Sequence, residues 1–268
     1  MNVAMYKPSR VATRTREFYR GTLRHLDERG IRVLVGGAYA LERYTGIERH
    51  TKDLDLFVRR HDVDALMREL AAHGCRTELS HPHWLAKAFC NDDFIDVIFS
   101  SGNGVAEVDE DWFAHAQPAR VLGHPTLLCP PEEMIWSKSY VMERERFDGA
   151  DILHLLRARG ADLDWERLLR RYGAHWPVLM SHLLLFDFAY PSERRHIPRW
   201  VREALRHRLD ELSGQAPLAQ AVCYGTLLSR EQYLIDVERW GYRDGRAQEG
   251  TMTRKEVADW TAAIEPKC

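Results

Sequence analysis

The stretch Val35–Phe57, "VGGAYALERYTGIERHTKDLDLF", decides how this chain is read. The apolar run "IRVLV" (residues 31–35) has the length and branching of a short strand and ends in the pair Gly36–Gly37. A short helical pattern, "AYALERY", follows, and "DLDLFV" begins a second strand at Asp53. Glycines at a strand-to-helix turn let the backbone approach a neighbour closely and adopt dihedrals that other residues avoid. The first amides of the following helix lack partners, and the helix dipole favours an anion there, so a phosphate chain suits this place. A tight turn with no ligand would use the same two glycines.

Asp53 and Asp55 are one residue apart, so on a strand both carboxylates share a face while Leu54 and Leu56 point to the core. Carboxylates this close repel unless a cation lies between them, and hard oxygen ligands suit Mg²⁺. A strand with a polar solvent face would show the same alternation. A third carboxylate sharpens the reading. In "DDFIDVIFS", Asp96 stands between Ile95 and Val97 inside an apolar strand, where a lone charge is costly and needs a partner or a metal. Three carboxylates on neighbouring strands beside a glycine turn are a ligand set for two-metal phosphoryl transfer.

Outward from this stretch, Ser9 is a candidate cap for a first helix running to about Glu28, with Tyr19, Leu23 and Leu26 on one stripe and Gly30 as its stop. "DVDALMRELAAHG" reads as an amphipathic helix from Asp62 to Gly74. "CRTEL", "HWLAKAF" and "FIDVIF" read as strands, and "ARVL" and "TLLC" flank a turn at Gly123–Pro125. After Cys129–Pro130–Pro131 the periodicity becomes helical, in "EEMIWSKSYVMER", "GADILHLLRARG", "DWERLLRRYG", "WPVLMSHLLLFDF" and "RWVREALRHRLDEL". "SGQAP" is a surface linker before a last helical stretch. The pattern predicts an α+β fold: a small mixed sheet with packed helices over residues 1–130, then an all-helical unit over 131–268.

The order GG, short helix, DxD on a strand, then a lone Asp in a later apolar strand resembles the nucleotidyltransferase superfamily with the DNA-polymerase-β-like fold. More narrowly it is similar to the branch of AbiE-type toxins and stand-alone nucleotidyltransferases, whose R-x-T-x-D-hydrophobic-D pattern is matched by Arg49, Thr51, Asp53 and Asp55. Downstream, Pro131, Glu132, Lys138, Arg146, Asp148 and Asp151 occupy places comparable to that branch's second motif. The resemblance spans about residues 30–158. It implies that Asp53 and Asp55 hold two Mg²⁺ (or Mn²⁺) ions, with Asp96 completing the nucleophile-side site and drawing off the acceptor's proton. It implies also that Gly36 and Gly37 cradle the phosphates of an NTP, and that Lys138 and Arg49 neutralise the triphosphate. Lys52 is a further phosphate candidate, better read as a solvated loop residue. Lys138 reads equally as a surface lysine beside Trp136 and Tyr140, and Asp148 and Asp151 as braces for their helix. Many relatives carry Ser or Thr after the glycines, whereas this chain has Ala38 and Tyr39. An aspartyl-nucleophile phosphatase would end a long apolar strand on its DxD and place Thr or Val two residues later; here "GIERHTK" precedes the motif and Phe57 follows.

Composition bounds the rest. With 268 residues, 45% hydrophobic, 29% charged and a net charge of −2, the chain is an ordinary globular sequence and not a wholly basic nucleic-acid binder. Two local basic runs stand out. One holds Lys7, Arg10, Arg14, Arg16, Arg20 and Arg24; the other holds Arg194–Arg208, where 195, 199, 202 and 206 share a helical face. Either could guide RNA or tRNA, or be a solvated face paired with acids. A protein hydroxyl or a small molecule is an equally open acceptor, and "GTLLSREQYLIDVERWGYRDGR" is a docking element or ordinary packing. A toxin–antitoxin-type interaction module that binds nucleotide without turnover is the alternative from another class. The start lacks a signal peptide's apolar core and nothing reaches a membrane span, so a cytoplasmic protein is expected. Five cysteines without CxxC spacing read as reduced thiols. "SHPHW" reads as a turn around Pro82 rather than part of a zinc site with Cys75 and Cys90.

Overall fold

A computed structural model describes residues 13–49, 51 and 53–264. The cap expected at Ser9, the cations Lys7, Arg10 and Lys52, and Cys268 lie outside the described residues. Two compact units emerge: one from the residues up to Ser100 together with Glu107–Pro130, the other from Ser101–Ala106 together with Pro131 onward.

The first unit is built on α1 (Thr13–Glu28), β1 (Leu34–Val35), α2 (Gly37–Thr45), β2 (Asp53–Phe57), α3 (Val63–Ala72), β3 (Arg76–His81), β4 (Leu85–Cys90), β5 (Asp93–Ile98), α4 (Glu110–Ala114), β6 (Gln117–Val121) and β7 (His124–Leu128). The strands form one mixed sheet in the order β3-β4-β5-β2-β1-β7-β6. β2 runs parallel to β5 and β1 parallel to β7, and the remaining pairs are antiparallel. Alternation along β2, β4 and β5 buries Leu54, Leu56, Ala86, Ala88, Ile95 and Val97 completely. Tyr19, Leu23 and Leu26 of α1 and Leu66 and Leu70 of α3 complete this core. The stripe expected on α1 is the buried one, and Gly30, at φ 69°, ends it.

Details differ from the sequence expectation where long-range bonds decide. Asp62 precedes α3 without a side-chain cap bond, because its carboxylate is taken by Arg59 at 2.6 Å. The β6–β7 turn is Leu122–Gly123, both at positive φ, and Pro125 already pairs with Arg120 inside the ladder. Cys75 and Cys90 are joined as a disulfide with Cα atoms 4.6 Å apart, so they are not the reduced thiols expected. They lie at the outer ends of the antiparallel β3–β4 pair, 15 residues apart in sequence, and only the pairing of those strands brings them together.

The second unit is helical: α5 (Pro131–Lys138), α6 (Gly149–Arg159), α7 (Trp165–Tyr172), α8 (Trp176–Ala189), α9 (Arg199–Ser213), and the short α10 (Leu234–Glu238), α11 (Gly245–Glu249) and α12 (Arg254–Ala262). It also carries a two-residue parallel pair, β8 (Val222–Cys223) with β9 (Arg243–Asp244), which the helical periodicity did not predict. α5 stops at Lys138, well before the expected end of its pattern. Beyond it Met142 donates its amide to Leu228 O at 3.1 Å and bridges to Phe147, so the chain turns back instead of continuing the helix. Arg167 of α7 reaches Glu132 at 2.6 Å and Glu133 at 2.9 Å on α5, and Arg171 adds 3.1 Å to Glu133. Glu133 is fully buried, and burial holds its carboxyl above the usual range against the pull of the two arginines. Among the described residues no helix is long and apolar enough to cross a membrane.

Candidate active site

The parallel pairing of β2 and β5 sets Asp55 directly beside Asp96, with Asp53 two residues along the same face of β2. One carboxylate oxygen from each of Asp53, Asp55 and Asp96 falls within 4.8 Å of the other two. All three residues are half-buried, alternating along their strands with fully buried Leu54, Leu56, Ile95 and Val97. The folding pattern therefore gathers three negative charges that a random polar strand face would keep apart.

Two neighbours hold this cluster. Lys87 of β4 stands opposite Asp96 in the antiparallel register, and its ammonium donates to Asp96 Oδ1 at 2.6 Å. The same ammonium lies 4.8 Å from the centre of the Phe94 ring. Thr51, buried just ahead of β2, donates its hydroxyl to the Asp53 carboxylate. Sequence reading missed Lys87. Its signal was the lysine interrupting "LAKAF" with the same period that exposes Asp96 on the next strand.

Gly36 and Gly37 have a stereochemical reason in this sheet. The Gly36 amide donates to Asp55 O at 3.0 Å, and a Cβ on Gly36 would run into the Phe57 ring. Gly37 sits at φ 54°, and a Cβ there would overlap the Asp55 carboxylate. The close approach that the glycines permit is thus to the aspartate itself, and it brings the first turn of α2 against the carboxylates. Tyr39 in that turn faces inward, 7% exposed and edge-on to Tyr19 at 6.4 Å. Burial pushes its hydroxyl up to about 12, against the pull of Arg16 and with Glu42, Asp53 and Asp93 adding to the rise. It finds no hydrogen-bond partner among the described residues. Tyr39 therefore does not replace the Ser or Thr of similar sequences as an outward-facing hydroxyl. Tyr19 donates to Phe94 O at 3.1 Å, and its hydroxyl is likewise raised, first by burial and then by Asp93.

Arg49 lies half-buried in the loop between α2 and β2. Lys138, at the end of α5 in the second unit, is not a surface lysine. Its ammonium is held by Asp148 at 2.8 Å and Asp151 at 2.9 Å. Burial alone would lower its pKa, but the two carboxylates raise it, and they gain a brace for α6 in return. Of the basic face expected around Arg195, Arg199, Arg202 and Arg206, Arg195 falls in a separate turn before α9. Arg199 pairs with Glu203, Arg202 with Asp187 and Arg206 with Asp210, which is the solvated, acid-matched face. No zinc cluster exists among the described residues: Cys75 and Cys90 are joined to each other, and His81 stacks on Trp84 in the β3–β4 turn.

Residues 13–188 match the model of a family described as "uncharacterised nucleotidyltransferase". No curated protein matches the chain. Among solved structures, the antibiotic-resistance factor ANT(2'')-Ia is 18% identical with a TM-score of 0.42, covering 75% of this chain and 100% of its own. The lincosamide antibiotic adenylyltransferase LnuA is 15% identical with a TM-score of 0.40, covering 55% of this chain and 98% of its own. A tRNA-processing enzyme is 17% identical with a TM-score of 0.34, covering 97% of this chain and 77% of its own.

Proposed function

The chain belongs to this nucleotidyltransferase family, and from that premise we propose that it moves an NMP from an NTP to an acceptor hydroxyl, with Asp53, Asp55 and Asp96 as its working carboxylates. The observation that carries the reading is the convergence of three carboxylate oxygens within 4.8 Å on adjacent strands, against the first turn of α2. An all-oxygen anionic donor set of this size fits Mg²⁺ or Mn²⁺. Asp53 and Asp55 would hold two such ions, with Asp96 completing the nucleophile-side one. When bound, the ions supply positive charge that eases deprotonation of the acceptor hydroxyl and offsets the charge of the triphosphate.

The chain's own groups do the rest. Asp96 accepts the proton of the acceptor hydroxyl as its oxygen bonds to the α-phosphorus and the bond from that phosphorus to the bridging oxygen breaks. Pyrophosphate leaves with that electron pair. The turn at Gly36 and Gly37 cradles the phosphate oxygens through the backbone amides that open α2, since Tyr39 is turned inward. Arg49 and Lys138 are assigned to triphosphate charge in this reading, by resemblance. We place the catalytic domain in residues 1–130 and a helical domain in 131–268. The acceptor is an RNA or tRNA, a protein or a small-molecule hydroxyl, and the NTP is chosen by contacts outside the carboxylate cluster.

The test incubates purified protein with each α-³²P-labelled NTP, Mg²⁺ or Mn²⁺, total RNA and protein extract, with Asp53→Ala as control. Label in RNA, in a protein band or in a small-molecule fraction with the wild type only supports the reading and names the acceptor class. NTP binding without label in any fraction overturns it in favour of a binding module without turnover.

A further inference from the structure

We propose that Lys87 is a positioning residue for the metal-binding carboxylates, holding the Asp96 carboxylate in place beside Asp55. This inference rests on the metal-binding role given above to Asp53, Asp55 and Asp96. Nothing in the sequence resemblance assigns Lys87 a part.

The geometry is specific. Three strands place Lys87, Asp96 and Asp55 in one row: β4 and β5 pair Lys87 with Asp96, and β5 and β2 pair Asp96 with Asp55. The ammonium donates to Asp96 Oδ1 at 2.6 Å. It is held on a second side by the Phe94 ring 4.8 Å away, and the Lys87 side chain is only 26% exposed. A solvent-facing lysine would keep its rotamers; this one is docked. A carboxylate has two oxygens and can swing about its last torsion, so it can grip an ion with either, with both, or with neither. Holding Oδ1 with an ammonium restricts that freedom and orients the carboxylate within the cluster with Asp53 and Asp55. The ammonium also offsets part of the charge that would drive three carboxylates apart when no ion is bound. Asp53 has a comparable but neutral support in the Thr51 hydroxyl just ahead of β2, so the two ends of the cluster are braced from different segments.

The row predicts which changes matter. Lys87→Met keeps the stem that covers Phe94 but removes the donor. Lys87→Arg keeps a cation that can reach Asp96. The experiment measures Mn²⁺ binding by electron paramagnetic resonance for wild type, Lys87→Met, Lys87→Arg and Asp96→Asn, with a melting curve for each. The expected result is an Asp96-dependent Mn²⁺ site whose affinity falls about 10- to 100-fold in Lys87→Met, the range for removing a group that orients a metal ligand. Lys87→Arg stays within a few-fold of wild type. Where transfer is measurable, kcat falls in Lys87→Met while the KM for NTP holds. If wild type has the Asp96-dependent site and Lys87→Met binds Mn²⁺ equally well or more tightly, Lys87 is a counter-ion and the inference is overturned while the metal site stands. If wild type and Asp96→Asn bind Mn²⁺ alike, the metal site itself is wrong and this inference falls with it. Failure of NMP transfer alone, with the Lys87 effect on Mn²⁺ intact, counts against the proposed reaction and leaves this inference standing.

Discussion

Replacing Gly37 by alanine separates the cost of a strained backbone from the cost of a displaced ligand. Gly37 sits at φ 54° and Gly46, at the other end of the same helix, at φ 73°. Each substitution forces an L-residue into the left-handed region, a cost of about 1–2 kcal/mol. At Gly46 nothing else lies within 4 Å of the new Cβ. At Gly37 the new Cβ stands 2.6 Å from the Asp55 carboxyl carbon, where ordinary contact begins at 3.4 Å. The carboxyl carbon must therefore retreat by at least the difference, about 0.8 Å, and the overlapped Oδ2 by more, which is several times the roughly 0.2 Å within which ligand distances hold at a working metal site. Misplacement on the order of 1 Å near the chemistry costs about 100-fold in rate, equivalent to about 2.7 kcal/mol. Both variants should melt a few degrees below wild type. Gly37→Ala should lose about 100-fold or more in NMP transfer, and Gly46→Ala should stay within about threefold. The assay is initial-rate transfer at saturating NTP and Mg²⁺, beside a thermal melt. Transfer by Gly37→Ala at near wild-type rate would show that the Asp55 carboxylate does not need its position, and the site assignment would be wrong.

Three further outcomes follow from buried charge and from the cross-link. Lys138→Met leaves Asp148 and Asp151, only 11% and 12% exposed, facing each other without their shared cation. It should lower stability by about 3 kcal/mol on urea unfolding, and a rise in the KM for NTP at temperatures where it stays folded would support the proposed triphosphate contact, an unchanged KM removing it. Arg167→Met leaves Glu132 with only the Asp164 amide and the fully buried Glu133 with only Arg171 of their named partners. A loss of about 3–5 kcal/mol is expected, measured by the same titration. Opening the Cys75–Cys90 bridge with a thiol, or by Ser at both positions, releases a loop of 15 residues and should destabilise the protein by about 3 kcal/mol; identical melts with and without reductant would show that the bridge does not form.

The alternation of "DLDLF" and "FIDVIF" made the core and the carboxylate face readable, because a strand's period of two sorts neighbours without any knowledge of the partner strand. That Asp55 and Asp96 stand side by side needed the parallel β2–β5 register, which local pattern does not contain. The glycine pair suits a phosphate turn or a ligand-free one, yet what forbids a side chain at Gly37 is Asp55, 18 residues on. Lys87, the Cys75–Cys90 bridge and the Glu132–Glu133–Arg167 group share one property: each joins elements whose pairing is tertiary. The helix expected from Glu132 onward forms but ends early, for a related reason. Its periodicity runs past Lys138, but the Met142 amide is claimed by Leu228, far along the chain. The inward turn of Tyr39 was likewise decided by Tyr19 on a different helix.

The measurement that bears most directly on the account follows which phosphorus moves. NTP labelled at the α-phosphorus and NTP labelled at the γ-phosphorus are incubated side by side with the acceptor fraction, using wild type and Asp55→Asn of matched melting behaviour. The account predicts that only the α-label reaches the acceptor, with one pyrophosphate released for each label gained, and that Asp55→Asn loses both. Transfer of the γ-label, release of orthophosphate in place of pyrophosphate, or undiminished transfer by Asp55→Asn would contradict it.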